Sequence, residues 1–312
     1  MSGRTLYGHL IALLTVSIWG TTFVFTKILL DDSTPVEILF YRFLIGYCAL
    51  FLLYPRTHKT KGLKEELLFF GLGLSGVSLY FLLENTALQF TLAANVGLLS
   101  GTVPILTAIV SHFFTTDERF SRKLVWGFLV AFAGTAMVIF NAQVILNLNP
   151  LGDFLALMAP LAWAFYSILL KKVDHCYNPI FVTRKTFFYG LLTVIPIMIF
   201  QDANFMPEKI VSLQFGLNIG FLGLIASALC FVTWNRAVEI IGTIKASNYI
   251  YLVPLISMVT SILVLNEKVT NLAVAGGFLI LTGVYISEHG FKAEWLHKLV
   301  VKKTDDLSKQ SQ

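Results

Sequence analysis

ENTALQFTLAANVGLLSGTVPILTAIVSHFFTTDERF, residues 84–120, is echoed at residues 234–269 by WNRAVEIIGTIKASNYIYLVPLISMVTSILVLNEKV. Asn85 and Asn235, Ala87 and Ala237, and Pro104 and Pro254 are each 150 positions apart. Glu118 and Glu267, Gly127 and Gly276, and Gly134 and Gly283 are 149 apart, so one deletion before the glutamate restores the register. Toward the front of each copy, Trp19 and Trp163, Lys27 and Lys171, and Pro35 and Pro179 share an offset of 144. The chain is a duplication, and that fact governs every other reading of it.

Composition decides what kind of duplication. Of 312 residues, 56% are hydrophobic and 13% charged, whereas soluble domains carry about 25% charged residues. Mean hydropathy is +0.75. This is the composition of a membrane protein. Apolar runs near the ~20 residues that cross about 30 Å of hydrocarbon fall at 7–30, 36–54, 67–88, 92–114, 123–140, 152–172, 179–200, 211–233, 243–265 and 270–288. The expected fold class is therefore an all-α membrane protein with ten transmembrane helices, five in each copy. Helices are required because backbone groups facing lipid must be satisfied within their own segment, and the runs are too long and uniform for barrel strands. The expected units are 7–140 and 152–288, followed by a tail at 289–312.

Charge placement orients the spans. With the amino terminus inside, the inner segments collect Arg4, Arg56, Lys59, Lys61, Lys64, Arg119, Arg122, Lys123, Lys171, Lys172, Arg184, Lys185, Arg236, Lys245 and the lysines from Lys292 onward, while the outer loops hold Lys209 and Lys268. Both termini are then expected in the cytoplasm. A unit with an odd number of helices inserts its second copy upside down, and equivalent loops should carry opposite charge bias. They do: the loop after the second span is basic and the loop after the seventh nearly bare. Two inverted five-helix repeats follow. In transport folds such repeats place a substrate site near the bilayer midplane, exposed alternately to each side as one half rocks against the other.

The remaining signals are narrower. The first apolar run is too long for a signal-peptide core and lacks a small-residue cleavage site, so it is expected to stay as the first span. Cys48, Cys176 and Cys230 are odd in number and make no disulfide framework. The basic residues of this pI 9.0 chain lie in short loops between spans, which argues for orientation and against nucleic acid. HGFKAEWLHKLVVKK, from residue 289, places Phe291, Trp295, Leu296, Leu299 and Val300 near one helical face, as an interfacial helix would, with a disordered end beyond about 304.

WGTTFVFTK in the first span, YRFLIG in the second, ENTALQFT before the proline-bearing fourth and DERFS before the fifth resemble the EamA-type transporters of the drug/metabolite transporter superfamily, over roughly residues 7–288. That resemblance implies a ten-helix bacterial inner-membrane carrier, commonly an exporter of amino acids or other small metabolites. The partners expected are a small-molecule substrate and the lipid bilayer, with a proton as the candidate coupled ion, and no cofactor is expected. An uptake permease shares the fold. A membrane receptor or scaffold that does not transport is a further alternative, although inverted repeats offer it no obvious advantage. No HExxH, paired CxxC, G-x-S-x-G or P-loop pattern supports an enzyme.

Charges inside spans demand an explanation, and Lys27, Arg42 and Glu84 are the cases. Glu84 is a candidate to accept a proton or counter an ammonium, and Arg42 to engage a carboxylate. The competing reading is a structural pair, or an Arg42 that reaches toward the interface; Lys27 reads as an interfacial anchor. Trp19 and Trp163 fall mid-span at equivalent positions and, with Trp234, Tyr80 and Tyr251, are expected to line an aromatic cavity. Asn95 and Asn248, inside the openings of the fourth and ninth spans, are candidates to contact the same substrate, the alternative being bonds between helices. Asn85 and Asn235 are expected at the ends of the third and eighth spans. Pro104 and Pro254 each remove a helical hydrogen bond and so mark either hinges or passive kinks.

Overall fold

The computed structural model describes residues 3–30, 33–90, 93–115, 121–140, 149–174, 176–201, 212–265 and 270–290, and among these the secondary structure is helical. In chain order the helices are α1 (Gly3–Leu30), α2 (Pro35–Leu53), α3 (63–90), α4 (93–114), α5 (Arg122–Phe140), α6 (Pro150–Lys171), α7 (Pro179–Phe200), α8 (213–241), α9 (243–265) and α10 (Asn271–His289). Among the described residues, six stretches are long and apolar enough to cross a membrane: Pro35–Leu53, Leu63–Ala87, Val96–Phe114, Pro150–Lys171, Pro179–Phe200 and Leu213–Ile241. The tail beyond Gly290 lies outside the described residues.

Local sequence sets the helix starts. Thr34 and Glu37 form a capping box at α2, Thr34 Oγ1 accepting the Glu37 N–H at 3.3 Å and Glu37 Oε2 accepting the Thr34 N–H at 2.9 Å. Pro35 follows the cap, where its missing N–H costs nothing. Its repeat mate Pro179 opens α7 in the same way behind Asn178, whose side chain accepts from Ile180 N.

Four helices are not plain α-helices. α3 carries a π-helical stretch, Leu74–Leu79, and α8 another, Phe221–Leu229. The two overlap when aligned by the 150-residue offset. α4 stops at Ser100 and restarts at Val103, with Pro104 in its first turn. α9 runs α at Thr243–Asn248, 3-10 at Tyr249–Leu252 and α again from Val253, with Pro254 next. Proline removes a helical hydrogen bond but is tolerated in a first turn, and Pro104 and Pro254 each sit just after a break in their span.

One boundary departs from the hydropathy reading. α8 continues to Ile241, eight residues past the expected end, which puts Asn235 inside the helix; Asn85 likewise lies within α3. Arg236 and Glu239 end the apolar run, yet three residues apart on one helix they bond to each other at 2.6 Å and the helix carries on through them.

Packing follows the duplication. α5 lies along α10, α2 along α7, α3 on α6 and α7, α8 on α1 and α2, α4 on α6, and α9 on α1. Each pairing has a counterpart five helices away. The closest crossings use glycine: a Cβ on Gly46 would meet Gly223 O at 3.1 Å, and in the matching crossing one on Gly73 would meet Gly190 N at 2.5 Å. Small residues at crossings are how helices associate without a hydrophobic drive between them.

The basic loops gather at one end. Lys61 bonds to Asp174 and Lys185 to Glu66 at 2.7 Å. Arg184 donates to the carbonyls of Tyr54 and Arg56, closing the end of α2.

Candidate functional site

Three tryptophans meet where α1, α6 and α8 converge. Ring centroids lie 5.4 Å apart for Trp19 and Trp163, 5.2 Å for Trp19 and Trp234, and 6.1 Å for Trp163 and Trp234. Tyr80, Tyr166 and Phe231 complete the cluster at 5.2, 4.9 and 5.7 Å from Trp163. Tilted and edge-on rings at these separations attract one another, so the aromatics pack against one another. Tyr251 does not join them; it packs with Ala131, Val138 and Ile280. Tyr166 and Phe231 are absent from the sequence-based candidates. The signal was present, since each stands three residues from a cluster tryptophan on the same helix face.

The π-helical stretch of α8 supplies acceptors to this cluster. Cys230 N–H bonds to Ile225 O and Ser227 O, stepping over Ala226 O, which an α-helix would have used. Ala226 O accepts the Trp19 indole N–H at 2.9 Å and an Arg42 N–H at 3.5 Å. Arg42 Nε also donates to Ser227 Oγ. A π-bulge thus brings α1 and α2 to one carbonyl of α8, a recurrent use of such bulges at functional sites.

The symmetry-related set of parts, shared likewise between the two halves, is arranged differently. Gly76 is the counterpart of Ala226 and Trp163 of Trp19, and Tyr80 N–H bonds to Ser75 O, likewise stepping over Gly76 O. Yet Trp163 Nε1 is buried without a hydrogen-bond partner among the described residues, as is Trp234 Nε1. A buried donor left unmade costs about 1–3 kcal/mol. Two such donors in one cluster are an unexpended capacity to bind an acceptor.

Arg42 and Glu84 lie beside the cluster. Both are buried, at 6% and 9% exposure. They sense each other's charge without touching: Arg42 bonds to α8 and lies over Phe81 at 4.6 Å, and Glu84 Oε1 accepts the Tyr80 O–H at 2.9 Å. The direct structural pair weighed from sequence is not formed. Tyr80 instead relays between the carboxyl and Trp163.

Asn235 bridges three helices, accepting Tyr166 O–H at 2.6 Å and donating to Thr183 Oγ1 at 3.0 Å. Asn248 is buried at the end of the first α-helical piece of α9, Pro104 is buried and Pro254 half-buried at the breaks already described. The side chains of Asn95 and Lys27 lie outside the described residues.

Comparison with known proteins places this geometry. Residues 6–140 and 150–288 each match the EamA-like transporter family. An uncharacterized transporter of Archaeoglobus fulgidus is 28% identical over 89% of this chain and 96% of its own length. A probable amino-acid metabolite efflux pump of Escherichia coli is 27% identical over 90% of this chain and 95% of its own. A solved crystal structure superposes with a TM-score of 0.75 at 18% identity, covering 90% of this chain and 98% of that one, a likeness of fold.

Proposed function

The chain belongs to the EamA-like transporter family and is a multi-pass membrane transporter, and on that premise we propose that it is a secondary carrier exporting a small metabolite, an amino acid or a related amphiphile, across a bacterial inner membrane by alternating access. Ten spans in two inverted repeats, with both termini and the basic end in the cytoplasm, form the frame of this reading. The five-helix symmetry of the packing supports it, as does the efflux name carried by the Escherichia coli relative.

The observation that carries the reading is the unequal use of equivalent parts. Trp19 is tied to the π-bulge carbonyl of the other half, and Trp163 is not. Inverted repeats alternate by exchanging conformations, so the opposite state ties Trp163 to Gly76 O and releases Trp19. The breaks before Pro104 and Pro254 are where α4 and α9 bend during the exchange. Substrate enters when the rings part, and its carboxylate or carbonyl takes the indole donors of Trp163 and Trp234.

Flux of amino acids and amphiphilic amines in reconstituted vesicles, with and without a proton gradient, tests the function. Gradient-driven movement toward the face opposite the basic loops is expected. Movement only toward the basic face identifies an uptake permease, and the absence of any flux removes the carrier reading. Orientation is checked on Cys176, exposed at the basic end, with Cys48 and Cys230 replaced: an impermeant maleimide added to sealed cells should miss Cys176 and reach Gln201→Cys.

The exchange makes its own prediction. Trp19→Phe removes a bond of the described state, and Trp163→Phe one of the opposite state, each worth about 1 kcal/mol or a roughly fivefold population shift. Labelling rates at Thr115→Cys and Ser33→Cys, at opposite ends of the bundle, should have their ratio moved in opposite directions by the two variants. A ratio moved the same way by both would sink the exchange.

A further inference from the structure

A cavity of about 670 Å³ opens at the basic end, where the last turns of α4, α6 and α8 meet the first turn of α7. We infer that this cavity is a second binding site, separate from the tryptophan cluster, for an apolar zwitterion such as an amino acid with an aliphatic or aromatic side chain. The inference deepens the carrier reading and rests on it: ligand loads here from the cytoplasm before the cluster opens.

Size and lining agree. Ligand sites occupy roughly 300–1,000 Å³ with mostly apolar walls and a few placed polar groups. Here Leu170, Val182, Val238 and Ile241 supply apolar wall. Of the charges at the mouth, two carboxylates are already engaged. Asp174 is held by Lys61, which keeps its carboxyl well below the usual carboxylate range. Glu239 carries Arg236 at 2.6 Å and Arg4 at 3.8 Å. Lys171 and Lys172, at the end of α6, line the cavity as well, and Lys172, which has no ion pair among the described residues, offers a cation to a ligand carboxylate. On another wall α4 ends at Thr115, and the carbonyl end of a helix carries partial negative charge that attracts an ammonium. A ligand with both charges and an apolar body matches this arrangement better than one with either charge alone.

The floor points onward. Asn235 lines the cavity and spends one donor and one acceptor on Thr183 and Tyr166, leaving one N–H and one lone pair of its amide. Tyr166 in turn touches Trp163, at 4.9 Å between ring centroids. Ligand seated against Asn235 is therefore two side chains from Trp163.

Thr115→Cys, in a background with Cys48, Cys176 and Cys230 replaced, reports occupancy by its labelling rate with a small methanethiosulfonate in lipid nanodiscs. L-phenylalanine should slow labelling saturably, by about tenfold at ten times its Kd by mass action. Phenethylamine and 3-phenylpropionate, each with one of the two charges, should protect less, and Lys172→Gln should lower protection by L-phenylalanine to the level of phenethylamine. Labelling unaffected by L-phenylalanine and L-leucine, or slowed equally by benzyl alcohol, would overturn the site. Monodisperse elution and a wild-type melting temperature show that each variant is intact before labelling. Flux without protection removes this site and keeps the carrier; protection without flux keeps the site and removes the carrier.

Discussion

Gly134→Val is expected to yield no folded protein. α5 and α10 lie against each other along their length, and a Cβ on Gly134 would meet Gly276 O at 2.5 Å and Ile280 N at 2.7 Å. Those are backbone atoms, so no side-chain rotation relieves the clash. The approach is reciprocal, since a Cβ on Gly276 would meet Gly134 O at 2.6 Å, and the neighbouring turns are as close: Gly283 against Ala131 N at 2.4 Å and Gly127 against the Ser287 Cα at 2.6 Å. Overpacking a tight site costs about 1–3 kcal/mol when side chains can shift, and here a whole helix must move, which forfeits the other contacts of the pair. Size-exclusion profiles in detergent should show aggregate for Gly134→Val and partial loss for Gly134→Ala. Gly220 is the control, because a Cβ there meets nothing within 4 Å and Gly220→Ala should gain up to about 1 kcal/mol from helix propensity. A monodisperse Gly134→Val protein with wild-type melting temperature would mean that α5 and α10 are not packed as described.

The same glycines show how much of the fold was legible in the sequence. Gly127, Gly134, Gly276 and Gly283 stand out there because the repeat offset pairs them, and a close helix crossing is the physical reason for the pairing. Hydropathy placed the spans well where the run ends in a loop, as at 179–200, and stopped short at α8, where an internal charge pair interrupts the apolar run without ending the helix. The π-helical stretches were not legible, because no residue type encodes an extra backbone residue in a turn. Their consequence was therefore hidden too, namely that Ala226 O is available to Trp19 and Arg42. For the site, symmetry picked out Trp19 and Trp163. It passed over the importance of Trp234 because the position 150 residues earlier is Glu84, so one repeat places an indole where the other places a carboxyl.

Glu84→Gln is expected to fold and to lose proton-dependent flux by about tenfold or more, as loss of an ionisable group at an intramembrane relay would. Glutamine is nearly isosteric and its Oε1 can still accept the Tyr80 O–H, which wild-type Glu84 holds at 2.9 Å, so the contact that anchors the side chain survives. Arg42 keeps its bonds to Ser227 and Ala226, since it does not depend on a direct ion pair with Glu84. What the substitution removes is the ability to change charge. On the proposed coupling, gain or loss of a proton at Glu84 would alter the field at Arg42, which donates to the same Ala226 carbonyl as Trp19, and would so link the proton to the tryptophan exchange through two side chains. Arg42→Gln should act differently, lowering both melting temperature and flux, because it strips the Arg42 donors from Ser227 Oγ and Ala226 O of the π-bulge. In a double-mutant cycle on melting temperature the Glu84 and Arg42 terms should be coupled by less than about 1 kcal/mol, as for charges that are near but not bonded. A coupling of several kcal/mol, with the double variant recovering stability lost by Glu84→Gln, would make the two a structural pair. Unchanged gradient-driven flux by a folded Glu84→Gln protein would remove the proton from this carboxyl, and the coupling would then have to lie elsewhere in the bundle.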